Sequence, residues 1–242
     1  MLADIKKTAV AAAVTLTLVR LHWIIGQVQL MASVQQPRWI AAAQLAANAL
    51  FLIPLPVLLW TLYTTRTRLL VSRNLRYLAL GTASVYGLFF AVPQLYGLAR
   101  GLQQSPDLRW FKGATVAQQL WGWLRTPWAG TLAWESLILL SQVAFVLFLI
   151  ALFRRGLLPE ITDGHAQLIA TRIATVAVFM GGLAVALNVS QVCYAAVVFG
   201  AKSNLSLQYA LYPLPNLCWG MAAWIVYKGL RQASFSEPAL VC

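Results

Sequence analysis

Acidic side chains are almost missing from this sequence: six Asp and Glu stand against eighteen Lys and Arg in 242 residues. Charged residues of both signs make up 10% of the chain, where a soluble domain averages about 25%. A surface meant for water cannot be built from so few charges. Intramembrane aspartyl catalysis needs two carboxylates at one depth, and the sequence offers no such pair. A proton pump runs a relay of titratable groups through the bilayer; here Glu135 is the one carboxylate inside an apolar stretch.

Cysteine and histidine are as sparse. Cys193, Cys218 and Cys242 form no CxxC, and an odd count is no disulfide framework. Cys242 is the last residue rather than the fourth from the end, so it is no prenylation box. His22 and His165 are the two histidines, and helical rise separates their depths by about 15 Å or more. They cannot clamp one b-type haem between them, and two separated histidines make no zinc site. The sequence has no H-E-x-x-H, no G-x-S-x-G, no P-loop and no G-x-G-x-x-G. The expectation is a protein with no cofactor, no metal and no catalytic centre.

Apolar residues fill the space left by the polar ones: 60% of the chain, with a mean hydropathy of +0.72. They fall in six stretches, about 8–31, 41–63, 77–99, 132–153, 169–192 and 207–228. Each reaches the roughly 20 residues that a helix needs to cross hydrocarbon. Open sheet edges cannot sit in lipid, and long unbroken runs are not alternating barrel strands. The expected fold is therefore all-α: a polytopic integral membrane protein, one six-transmembrane-helix bundle over residues 1–242. Lys6-Lys7 and the Ala-rich run after them imitate a secretory signal. Arg20 interrupts that run and the apolar pattern resumes to Leu30, so the segment reads as a retained first helix.

The formal net charge of +12 follows from topology rather than from nucleic acid, which is excluded as a partner. With the N-terminus inside, eleven cations fall in inner segments, six in outer ones, and Arg20 within the first span. That bias predicts cytoplasmic N- and C-termini in a plasma (inner) membrane. The dense cluster from Arg66 to Arg76 should hold anionic lipid headgroups, making membrane lipids the first expected partner. Ala9 and Ala13 form a small-xxx-small pair that suits either a partner membrane subunit (or a second copy of this chain) or packing within the chain.

The long external loop, 100–131, holds Trp110, Trp121, Trp123 and Trp128. Within it, Val116, Ala117, Leu120, Trp121 and Leu124 share one helical face. This spacing predicts a short amphipathic helix lying on the outer interface, with a lid over an external pocket as the alternative. The fifth stretch extends from Ala166 to Ala201, about 54 Å as one helix, so it must protrude or break; Gly181-Gly182 is its weak point. Pro54, Pro56, Pro93, Pro213 and Pro215 predict kinks in the second, third and sixth spans. Residues 52–60 and 211–219 match at six of nine positions, a weak internal echo.

The site expectation rests on depth. Amides gather in the outer half of the spans, among them Gln27, Asn48, Gln94, Asn188 and Asn216. Arg20 lies near mid-depth, where an unpaired guanidinium costs at least about 2.5–3.5 kcal/mol. It cannot shed its proton to escape that cost. Gln27 follows it by two helical turns on the same face, roughly level with Glu135. Arg20, Gln27, Glu135, Asn48, Gln94, Asn188 and Asn216 are the expected ligand-binding residues of an outward-opening polar cavity. The function expected is non-enzymatic binding of a small-molecule ligand from the outer face, for transport or sensing. The alternative is an accessory subunit of a larger membrane complex, in which the same groups bond helix to helix.

Overall fold

A computed structural model describes residues 4–32, 53–104, 115–158, 163–199 and 213–235, with isolated positions 39, 42, 45–46 and 49–50. Seven helices account for nearly all of them. They are α1 (Ile5–Ala32), α2 (Pro54–Thr64), α3 (Arg73 to Gln104), α4 (Val116–Leu124), α5 (Pro127–Arg155), α6 (Gly164–Phe199) and α7 (Pro213–Phe235). A two-residue ladder, β1 (Leu69–Leu70) against β2 (Leu157–Leu158), pairs antiparallel with Leu69 opposite Leu158.

Among the described residues three helices are long and apolar enough to cross a membrane: Arg73–Gln104, Pro127–Arg155 and Gly164–Tyr194. The chain is thus an all-helical membrane protein with at least these three candidate spans. Apolar runs of this length form helices because every backbone polar group must find its partner inside the segment. At the core, α1 packs on α2 and α5, α3 on α5, and α6 on α2 and α7. Ala9, Ala12 and Ala13 of α1 and Ala170, Ala174 and Ala177 of α6 are buried, and their small side chains let the backbones approach. The Ala9–Ala13 pair thus serves packing within the chain.

The structure narrows what the sequence left open. Of the two outcomes expected for the fifth apolar stretch, protruding or breaking, it does not break: α6 runs from Gly164 to Phe199. Gly181 is instead buried where α7 comes close, since a Cβ on Gly220 would stand 4.0 Å from the Gly181 carbonyl carbon. Gly181 thus serves close approach, whereas Gly182 is exposed. Pro54 and Pro56 open α2, with Ile53 as its N-cap. The first turn lacks intrahelical acceptors for its N–H groups anyway, so proline loses nothing there. Pro93 follows a π turn, Gly87–Ala91, in which the Val92 N–H bonds back to the Gly87 carbonyl. The extra residue absorbs the misfit that a proline imposes on the regular ladder.

The echo between residues 52–60 and 211–219 does not extend to environment. Trp60 is 49% exposed, whereas its counterpart Trp219 is 1% exposed. Within 100–131, a helix, α4, runs from Val116 to Leu124 and opens on a capping box between Thr115 and Gln118. Its Val116 and Trp121 are 75% and 58% exposed, so no other described part of the chain covers that face.

One end of the bundle gathers the basic segments. The Lys6 Nζ donates to the Thr65 carbonyl at 3.4 Å. Arg76 donates from Nε to the Phe153 carbonyl and from Nη2 to that of Arg154 at 3.1 Å, satisfying the last turn of α5. Gly156 then turns the chain at φ +59°, the left-handed region, and its carbonyl accepts from Val71 N at 2.6 Å. Gly156→Ala should cost about 1–3 kcal/mol in a denaturant titration of the detergent-solubilised protein. A Cβ there meets Arg76 Cδ at 2.8 Å and the Val71 carbonyl at 3.2 Å, and Arg76 is already tied down.

Candidate functional site

Arg20 is fifteen residues into α1, about 22 Å along the helix from Ile5. Its Nη2 donates to Asn216 Oδ1 at 3.0 Å, joining α1 to α7. Asn216 is buried and Arg20 is half-buried. Pro213 is the first described residue of α7, so Asn216 sits in its first described turn.

Beneath this pair lies an aromatic cluster drawn from three helices. Trp219 stacks on Phe145, with ring centroids 3.6 Å apart and planes 22° from parallel. The Trp219 Nε1–H donates to the Tyr86 hydroxyl at 3.3 Å, and Tyr86 meets Phe145 edge-on at 4.7 Å. Tyr86 also stands within electrostatic reach of the Arg20 guanidinium. It is the residue just before the π turn of α3, and such turns recur where a helix is bent to aim a side chain. Gln142 lies on α5 one turn from Phe145, about 20 Å from the Arg155 end, so helical rise puts it level with Arg20. Its Oε1 is buried and finds no hydrogen-bond partner among the described residues.

A second polar group lies further from the basic end. Gln94 Nε2 donates to Glu135 Oε2 and, at 3.4 Å, to the Glu135 backbone carbonyl, tying α3 to α5. Beside it His22 stacks on Trp134, with centroids 3.7 Å apart. The contact joins α1 to α5, and no cluster of three metal-binding side chains occurs among the described residues.

Two pairs of the expected site residues meet: Arg20 bonds Asn216, and Glu135 bonds Gln94. Each cross-helix link uses an amide. Asn188 is buried and donates to Ala184 O of its own helix at 2.9 Å, apart from both groups. The Gln27 side chain and Asn48 lie outside the described residues. Sequence reasoning did not pick out Tyr86, Phe145 and Trp219, because aromatic residues in an apolar span carry no mark of the face they take.

Three grooves of about 450, 420 and 330 Å³ indent the bundle. None of these three is lined by Arg20, Gln94, Glu135, Asn188 or Asn216. Their walls are almost wholly apolar, as suits hydrocarbon chains rather than water.

No family model, no curated protein and no solved structure matches this chain.

Proposed function

We propose that this is a non-catalytic multi-pass membrane protein that takes up a small polar ligand from the outer face, with Arg20, Asn216 and Gln142 as its centre. In this reading six helices span a plasma (inner) membrane, with the basic end and both termini cytoplasmic. The exposed apolar face of α4 then rests in the outer interface, Trp121 at headgroup level. The observation that carries the reading is a guanidinium at mid-depth, held by a buried asparagine, level with a buried amide oxygen that has no donor among the described residues. Ionic groups at such depth are costly and mark sites that handle a ligand. A buried acceptor left without a donor inside an apolar bundle fits a ligand that supplies one.

Extraction of the purified protein and mass spectrometry of the released small molecules tests this. Wild type should release a stoichiometric low-mass species. Arg20→Ala should lower its occupancy about tenfold or more, the loss expected for one charge-assisted hydrogen bond. Arg20→Lys should recover part of it, while the elution profile stays unchanged.

The helix-to-helix bonds Arg20–Asn216 and Gln94–Glu135 favour a second reading, an accessory subunit of a membrane complex. It predicts that Arg20→Ala and Glu135→Gln lower abundance and co-purification of a partner while no small molecule is released from any variant.

A further inference from the structure

Arg172 differs from Arg73 and Arg76 in where it sits. It lies eight residues into α6, about 12 Å from the Gly164 end, and is exposed. It makes no hydrogen bond, ion pair or ring contact among the described residues. Arg76, by contrast, is tied to the end of α5, and Arg73 lies over the Tyr77 ring.

Arg172 borders the groove of about 420 Å³ between α2 and α6. Leu50, Pro54 and Val57 form one wall and Ile173, Val176 and Met180 the other. From Arg172 to Met180 the groove follows α6 for about 12 Å. Arg172 is the single charged residue in its lining. The other two grooves, beside α7 and between α1 and α2, have no charged residue in theirs.

Helical side chains lean toward the helix N-terminus, which here is the basic end. The Arg172 guanidinium therefore reaches back toward the headgroup level while its stem covers the apolar wall. What fits is a molecule with an extended hydrocarbon part and one anionic end, lying parallel to the helices. A peptide would leave its backbone groups without partners along apolar walls. We propose that the α2–α6 groove is a docking site for an anionic phospholipid of the leaflet at the basic end. Its phosphate pairs with Arg172 and one acyl chain lies along Val57, Val176 and Met180. The pairing is charge complementarity in a medium of low dielectric, where an Arg–phosphate contact forms a forked pair of hydrogen bonds. The site thus selects on headgroup charge, whereas the two uncharged grooves take any chain.

The test uses the full chain, stripped of lipid in a neutral detergent and titrated with phosphatidylglycerol or with phosphatidylcholine of identical chains. Bound lipid is counted by native mass spectrometry. Wild type should hold one phosphatidylglycerol about fivefold more tightly than phosphatidylcholine, the effect of one basic residue at a membrane surface. Arg172→Gln should erase that preference without changing phosphatidylcholine binding, and Arg172→Lys should keep most of it. Val57→Trp, which retains the charge and fills the groove, should weaken both lipids. Glycerol 3-phosphate, which has the anion without the chains, should not compete at equal concentration. Persistence of the preference in Arg172→Gln overturns the proposal. So does full competition by glycerol 3-phosphate, because the anion would then sit on exposed cations such as Arg66 with no help from the groove.

Discussion

Trp219→Ala should destabilise the bundle by about 3 kcal/mol, near the lower end of the range for large aromatic truncations. Trp219 is 1% exposed and heads the fully buried side chains by size. It stacks on Phe145 and supports the Tyr86 hydroxyl, so it ties α7 to α5 and α3 at once. In a bilayer the transfer part of the usual loss shrinks, because lipid tails are as apolar as the core. The cavity and the lost dispersion contacts remain, and Tyr86 loses its indole donor. Trp219→Phe should cost only about 1 kcal/mol by comparison, keeping most of the stack and losing the hydrogen bond. Reversible unfolding in mixed micelles, read by tryptophan fluorescence, gives both numbers. The control is Trp60→Ala, its counterpart in the nine-residue echo, which is half exposed and should change stability by less than about 1 kcal/mol. Equal losses at the two positions would show that the aromatic cluster does not hold the helices together.

That pair of tryptophans also shows how far the sequence could be read. Long apolar runs locate helices well: stretches 77–99, 132–153 and 169–192 lie inside Arg73–Gln104, Pro127–Arg155 and Gly164–Tyr194. The observed helices extend past those limits because a hydropathy window stops at the first charge. Arg73, Asn74 and Arg76 are helical all the same, since polar side chains at a helix end can face water and headgroups. Position along a helix is legible too, from the fixed rise per residue: Arg20 lies about 22 Å from Ile5 and Glu135 about 30 Å from Arg155.

Direction around the helix axis was not legible. In a soluble helix the polar face announces the buried one, but a span is apolar on the side that meets protein and on the side that meets lipid. Trp60 and Trp219 carry nearly the same neighbours in sequence and face opposite ways. The same blindness hid which partners meet: the bundle brings Asn216 to Arg20 and Gln94 to Glu135. Gly181-Gly182 misled for a related reason: read alone, a glycine pair signals a weak ladder, and only its neighbour Gly220 reveals a site of close approach.

Gln167→Ala should cost about 3 kcal/mol, although sequence depth puts this residue at the membrane boundary, where an amide excites no suspicion. Gln167 is buried, and its amide is fully used. Oε1 accepts from Arg68 N at 2.9 Å, while Nε2 donates to the Arg68 carbonyl and to the Leu230 carbonyl, both at 3.0 Å. One side chain thus completes the backbone hydrogen bonding of the α2–α3 loop and fastens it to the last turns of α7. The β1–β2 ladder begins at the next residue, so the same loop is held from both sides. Removing the amide leaves the Arg68 N–H and carbonyl without partners, each worth about 1 kcal/mol or more when water cannot reach it, and breaks the bond to the Leu230 carbonyl, which keeps Ser234 Oγ at 3.0 Å. Gln167→Glu makes the sharper variant. It keeps the acceptor toward Arg68 N but turns two attractive contacts with carbonyl oxygens into repulsions, so it should destabilise at neutral pH at least as much as alanine. Lowering the pH below the usual carboxylate range restores a donor and should recover part of the loss. Hydrogen exchange at Arg68, Leu69 and Leu70 reads the loop directly. Protection there should fall by about tenfold or more in Gln167→Ala and stay unchanged in α5, whereas a uniform fall would mean that the amide supports the whole bundle rather than this clasp.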